Sequence, residues 1–538
     1  MKRILCLLLC GLCLLGLTGC QRMVEYLGDK TATILPEINQ VMNRKEVTEA
    51  YVEVLYEMAD TSVTSAMFFD VLTNHEEYTV LRDLGYSAVL TSPLSTFAAD
   101  VDTAAYANIR RMIMRQEQIP KDAVRIEELV NAFSYQNAAP TGNDPVAITT
   151  EVAPCPWNEE HLLLRIGLKA KEIETENLPA SNLVFLIDTS GSMNSPERLP
   201  LVQRSFSLLV EQLGPDDRVS IVTYAGSAEI VIEGARGDEK AKLLAAIANL
   251  TAGGGTNGSE GIETAYKIAQ RYAVPGVNSR VLLATDGDFN IGINSENELT
   301  RFIEDKRNDG IFLTVLGYGM GNYKDNKMQA LADHGNGNAT YIDSIHQARR
   351  ALIEEMGATL HTVAKDVKLQ VEFNPAMVEG YRLIGYENRR LNDEDFVDDT
   401  KDGGEMGAGH NVTALYEIIP AGTGELGERG LSYQQTVTTD STDYATVYVR
   451  YKQPDGDAST EIHQVISQDA YTENPSDDFN LAAAIAAFGQ LLAGSDYVGT
   501  ADEQMILLLL QPLLASDTGG RIAELATLVR QSGGLYGE

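Results

Sequence analysis

Basic residues are scarce in this chain, with 42 lysines and arginines against 77 aspartates and glutamates, a formal net charge of −35 at pH 7. A field of that sign repels phosphate backbones and anionic surfaces, so nucleic acid is excluded as an expected ligand, while cations and basic partners are favoured. Cysteine is nearly absent. Cys6, Cys10, Cys13 and Cys20 crowd the amino terminus, Cys155 stands alone in the rest of the chain, and no disulfide framework is available to it. Cys155 lies in Pro154-Cys155-Pro156-Trp157 beside the single tryptophan, and His161, His361 and His410 are scattered. A buried structural thiol is expected there rather than a nucleophile. Beyond the amino terminus, long apolar runs are missing: Leu507-Leu508-Leu509-Leu510, bounded by Asp502, Glu503 and Pro512, falls far short of a membrane span. The acidic run from Asn392 to Asp399 reads as solvated loop.

What the chain does have is an apolar strand pattern, Leu183-Val184-Phe185-Leu186-Ile187, that ends in Asp188-Thr189-Ser190-Gly191-Ser192-Met193. A continuous Val/Ile/Leu/Phe run reads as a buried parallel strand, and ligands of open α/β sheets collect beyond the carboxyl ends of such strands. Asp188, Ser190 and Ser192 fall there. They offer only hard oxygen donors, a set that suits Mg²⁺ rather than zinc or copper. The loop Thr251-Ala252-Gly253-Gly254-Gly255-Thr256-Asn257-Gly258 presents the Thr256 hydroxyl ahead of a helical pattern. A second apolar strand, Val281-Leu282-Leu283-Ala284, ends at Thr285-Asp286-Gly287-Asp288 and brings another carboxylate to the same sheet edge. The glycine loop is not a phosphate loop, because no Lys-Ser/Thr follows it. Asp286-x-Asp288-x-Asn290 is not an EF-hand start either, since Ile291 stands where Gly is needed and Asn297 where Glu is needed.

Asp188, Ser190, Ser192, Thr256 and Asp286 resemble the metal-ion-dependent adhesion site of the von Willebrand factor type A family, written Asp-x-Ser-x-Ser, then Thr, then Asp. The resemblance implies that Ser190, Ser192 and Thr256 meet a metal ion through hydroxyls while Asp188 and Asp286 act directly or through water. Asp288 is at most a supporting residue behind them. Mg²⁺ is the implied cofactor, with Mn²⁺ or Ca²⁺ as alternatives. Mg²⁺ takes about six oxygens, and a site built largely of neutral hydroxyls leaves a position that a partner's carboxylate can fill.

Alternating strand and helix patterns over residues 181–362 predict a doubly wound, Rossmann-like sheet covered on both faces, and the resemblance spans this stretch. Period-two alternation on either side, over residues 144–180 and 363–455, predicts one half-buried antiparallel β-sandwich into which that domain is inserted. Residues 91–140 read as a helical region that opens with an extended segment from Ser95. Asp100-x-Asp102 there is a helix start and not a phosphatase nucleophile, because Ala104 stands where a hydroxyl or Val is wanted. Residues 474–535 read as a terminal helical domain, and residues 20–90 as a tether with loose helices. Residues 95–135, the segment around Tyr381-Arg382-Leu383-Ile384-Gly385-Tyr386 and the final helices together resemble the bacterial von Willebrand factor A-domain lipoproteins.

At the amino terminus, Met1-Lys2-Arg3, an apolar core and Leu17-Thr18-Gly19-Cys20 resemble a bacterial lipobox, so residues 1–19 are expected to leave as a signal peptide and Cys20 to carry lipid. Gln21 in place of Asp favours the outer over the inner membrane by the same resemblance. The expected function is a lipid-anchored, extracytoplasmic protein-binding or adhesion module whose Mg²⁺ captures an acidic residue of a partner. An envelope scaffold is the alternative. A metal-assisted hydrolase is a weaker one, since no His or Lys lies in the three loops and only Asp288 or Glu260 could serve as base. No enzymatic activity is expected.

Overall fold

The computed structural model describes residues 76–173, 179–287, 296–319, 324–354, 361–401, 403–427, 439–454 and 456–535. The signal-peptide and tether readings, Cys20 and Asp288 lie outside them.

The central element is a six-stranded sheet. Its domain runs β1 (Ser181–Asp188), α1 (Leu199–Gln212), β2 (Arg218–Tyr224), β3 (Ala228–Arg236), α2 (Lys240–Ala248), α3 (Gly258–Tyr272), β4 (Asn278–Thr285), α4 (Glu296–Asn308), β5 (Ile311–Tyr318), α5 (Asp325–His334) and β6 (Ala339–Ile342). The strand order is β6-β5-β4-β1-β2-β3, parallel throughout except for β3. After β1 the chain builds one side of the sheet, and from β4 onward it builds the other. That reversal opens a crevice beyond the carboxyl ends of β1 and β4.

Every residue of β1 is buried. Successive side chains of a strand point to opposite faces, so each face needs its own cover. Leu183, Phe185 and Ile187 meet Leu199, Val202, Phe206 and Leu209 of α1, with the Phe185 and Phe206 rings stacked at 4.3 Å. Val184 and Leu186 meet Ile262, Ala265, Tyr266 and Ala269 of α3. Both helices carry their apolar residues at three- and four-residue spacing, the stripe that seats a helix on a sheet.

Two antiparallel sheets take strands from both flanks of this domain. Asn158–Ala170 pairs with Asn411–Pro420, Ile166 opposite Ala414, so the chain leaves the sheet before the central α/β domain and returns to it afterwards. The second sheet is built around Thr362–Phe373 and Ala445–Lys452. Val152, Leu164, Ile166 and Leu168 of the first share one core with Val367, Leu369, Val371, Val447 and Val449 of the second.

The extended segment expected at the start of the 91–140 block is a strand, Leu94–Ala98, between Thr362–Phe373 and Arg390–Leu391. Its polar side chains are satisfied within the fold, Tyr416 donating to Ser95 Oγ at 2.9 Å and Thr96 donating to Asp393 at 3.1 Å. Two features differ from the sequence reading. The first of the two antiparallel sheets, five-stranded, is covered on both faces rather than half-exposed, because helix Asp477–Ala493 lies over its outer side, where Arg382 donates to Gln490 at 2.7 Å. Finally, Asp100 and Asp102 do not cap the helix Ala104–Met114, whose cap position, Thr103, makes no side-chain bond. Asp102 instead accepts the Ala339 amide of β6 at 2.9 Å, and both carboxylates face Arg389.

The amino- and carboxyl-terminal helices form a single lobe. Tyr106, Ile109, Ile113, Leu129 and Phe133 share a core with Phe479, Ile485, Phe488, Leu525 and Leu528. Cys155 is buried at its margin, where burial pushes the thiol well above its ordinary range. Among the described residues no helix is long and apolar enough to cross a membrane.

Candidate metal centre

The three loops read from the sequence converge at the carboxyl edge of the central sheet. Ile187 pairs with Ala284, which sets Asp188 level with Thr285 and Asp286 one residue beyond. Both carboxylates are fully buried. The Ser190 amide donates to Asp188 Oδ1 at 2.8 Å and the Thr285 hydroxyl to Oδ2 at 3.4 Å. Ser190 Oγ and Ser192 Oγ lie 3.0 Å apart. The loop carrying Thr256 is strapped to the first, since the Gly253 amide donates to the Thr189 carbonyl at 2.8 Å and the Gly191 amide to the Gly254 carbonyl at 3.1 Å. Thr256 itself is half-buried. Gly254 takes a φ of +88°, which glycine adopts without strain.

Electrostatics mark the same place. Burial pushes Asp188 up to about 6 against the pull of its Ser190 hydrogen bonds, and the neighbouring Asp286 charge adds to the rise. The Tyr224 hydroxyl is raised further still by burial and by the Asp188 charge. A buried carboxylate is costly unless a cation or hydrogen bonds compensate it. Arg198, just ahead of α1, supplies part of that compensation from 3.2 Å beside Asp286.

The donor set fits a hard divalent cation. Neighbouring ligands of an octahedral Mg²⁺ at its usual bond length are about 2.9 Å apart, close to the spacing of the two serine hydroxyls. No group of three or more His, Cys, Asp or Glu side chains among the described residues is placed to hold a metal. A site here therefore depends on hydroxyls. Glu260, one of the two possible bases, is exposed at the start of α3 and accepts from Asn257 at 3.1 Å.

Arg198, Thr285, Tyr224 and Gly261 were not legible as site residues. Gly261 lets α3 approach β2, for a Cβ there would stand 2.8 Å from Tyr224 Cβ. A signal for Arg198 existed: it is the first basic residue after the serine loop.

Family models match three stretches of the chain. The family model of the von Willebrand factor type A domain matches residues 182–353. One described as von Willebrand factor matches residues 72–165, and one described as uncharacterized protein YfbK, C-terminal, matches residues 358–535. Uncharacterized protein YfbK of Escherichia coli (strain K12) is 42% identical over 469 residues, 85% of this chain and 81% of its own. Uncharacterized protein sll0103 of Synechocystis is 30% identical over 187 residues, 34% of this chain and 43% of its own. Among solved structures, von Willebrand factor type A from Catenulispora acidiphila aligns with a TM-score of 0.37 at 17% identity, over 72% of this chain and 91% of that one. The ArnB paralog VWA2 from Sulfolobus acidocaldarius aligns with a TM-score of 0.33 at 18% identity, over 72% and 93%.

Proposed function

We propose that this chain, which belongs to the YfbK family of bacterial von Willebrand factor type A domain proteins, captures a protein partner through a divalent cation held at the carboxyl edge of β1 and β4. Domains of this type are in general protein-interaction modules and mostly not enzymes. Asp188, Ser190, Ser192, Thr256 and Asp286 would hold the ion, Mg²⁺ first among the candidates. When bound there, the cation supplies a Lewis-acidic position that accepts a carboxylate oxygen of the partner. The chain's own residues prepare that position. The Ser190 amide and Thr285 hydroxyl fix Asp188, while the serine hydroxyls add oxygen without adding negative charge. Lipid on Cys20 would tether the module to the outer membrane, with its partner in the envelope.

The observation that carries this reading is the Ser190–Ser192 hydroxyl pair at 3.0 Å beside two fully buried carboxylates. Titration calorimetry of Mg²⁺ into the purified chain is expected to give one site, lost in Asp188→Ala. Crosslinking in envelope extracts is expected to recover a partner with Mg²⁺ and none with chelator. Equal recovery under both conditions refutes the reading. The tether is tested by labelled palmitate, which Cys20→Ser should no longer incorporate.

A further inference from the structure

Arg198 lies outside the donor set and yet inside the site. Its Nη1 donates to the Ser192 carbonyl at 2.5 Å and stands 3.2 Å from Asp286 Oδ2. The side chain is 11 % exposed. Its stem runs against Gly319, just past β5, where a Cβ would fall 2.3 Å from Nε and 2.4 Å from Cγ. Gly319 also has a φ of +77°, so glycine both tolerates the turn and leaves the slot open. Three segments of chain, the Ser192 turn, the end of β4 and the end of β5, thus grip one guanidinium against the carboxylates proposed to hold the metal.

We infer that Arg198 is a fixed counter-charge that sets the ligand preference of the metal centre, loosening its hold on the cation while keeping the loaded site positive. The inference rests on the metal-binding reading of Asp188 and Asp286. Those two carboxylates carry two negative charges, and Arg198 brings the cluster to one. With a divalent cation the cluster becomes singly positive, and one partner carboxylate closes it at neutrality. Without Arg198 the loaded cluster is already neutral, and the same carboxylate leaves an uncompensated negative charge in a buried place. Charges separated by a few ångströms away from bulk water interact strongly, so one unit decides between these cases. A residue that merely braced the loop would alter stability and leave this balance unchanged.

The test compares the full chain with Arg198→Met, Arg198→Gln and Arg198→Lys. Mn²⁺ binding is read by calorimetry, and acetate binding to the Mn²⁺-loaded protein by water-proton relaxation. Arg198→Met and Arg198→Gln are expected to bind Mn²⁺ about tenfold tighter or more, and acetate about tenfold weaker or more, with Arg198→Lys close to wild type. Gln retains a donor for the Ser192 carbonyl, so it carries the test if Met does not fold. Unchanged or weaker Mn²⁺ binding in the uncharged variants, with wild type taking up the ion, overturns the role of Arg198 and leaves the metal site standing. Failure of the wild type to bind Mn²⁺ overturns both.

Discussion

Glu417→Gln should destabilise the β-sandwich and its helical lobe by about 3 kcal/mol. Glu417 sits in strand Asn411–Pro420 with its side chain 1 % exposed. Its Oε1 accepts from His161 Nδ1 at 2.7 Å, and its Oε2 accepts from Arg382 Nη2 at 2.7 Å and from Trp157 Nε1 at 3.1 Å. Burial pushes the carboxyl up, but the His161 hydrogen bond and the Arg382 charge outweigh it and hold the group at about 2 rather than the ordinary 4.5. At about 1.4 kcal/mol per pKa unit, that depression gives the magnitude, which matches the low end of the about 3–5 kcal/mol for breaking a buried pair. The contribution is fully present above pH 4.5 and disappears as pH falls through 2. Glutamine keeps one acceptor but turns an NH₂ toward a donor, while Arg382 keeps its bond to Gln490 at 2.7 Å, a longer contact to Asp83 at 3.5 Å and its place over the Tyr497 ring, but no close carboxylate. Trp157 is the single tryptophan, so its fluorescence reports the site directly. In urea at pH 6, where folding has also raised the His161 pKa, the midpoint should fall by about 1 M for an m-value near 3 kcal/mol/M. A midpoint that does not move, or a gap from wild type that fails to narrow between pH 5 and 2, refutes the reasoning.

Two more perturbations follow from buried groups. Burial, then the charges of Glu387, Asp100 and Glu128, push Glu127 up to about 8 from 4.5. Its proton therefore contributes stability that is present below pH 4.5 and lost as pH rises through 8. Glu127→Gln can still accept the Tyr386 amide, now at 3.0 Å, and should flatten the decline in melting temperature between pH 5 and 9 and exceed wild type at pH 9. A profile parallel to wild type contradicts the assignment. Gly261→Ala should cost about 1–3 kcal/mol by overpacking against Tyr224, more than the gain of up to about 1 kcal/mol in helix propensity. Thermal melts and faster amide exchange in α3 would register it, and an unchanged melt would show that α3 can shift without loss.

The loops of the proposed metal site were legible because their signals are local. An apolar run fixes where β1 stops, and the residues after it must emerge at the sheet edge. Arg198 was illegible because its position depends on the turn that folds it back under Ser192 and on a slot left by Gly319, far along the chain. The period-two pattern of the flanks identified strands but underestimated their burial. His161, Arg165 and Arg382 occupy positions that alternation assigns to solvent, and each is 2 % exposed or less because the helical lobe covers that face. Charged residues survive there through bonds to distant acceptors, His161 and Arg382 to Glu417, Arg382 also to Gln490, and Arg165 to Asn137, a long-range arrangement with no period to betray it. The joining of helix Ala104–Met114 to Asp477–Ala493 and Arg521–Gln531 is invisible for the same reason.

The two edges of the central sheet bear on why the proposed binding chemistry belongs at the loop end. An open edge strand offers unpaired backbone groups that another chain can pair with. On β6 the Ala339 amide is taken by Asp102, and the helix Ala104–Met114 lies alongside, Ala104 and Ala107 sharing a core with Tyr341. On β3 the defence is different. Register shifts against β2 interrupt the ladder, and Glu233, bound to Arg271 at 2.6 Å, and Glu229 place charge along the strand. Irregular pairing and charge both discourage strand addition. With one edge covered and the other blunted, and with helices on both faces, the loops after β1 and β4 are where the proposed partner would bind. Those loops also hold the two buried carboxylates, so the proposed cation site lies at the end of the sheet that neither edge defence closes.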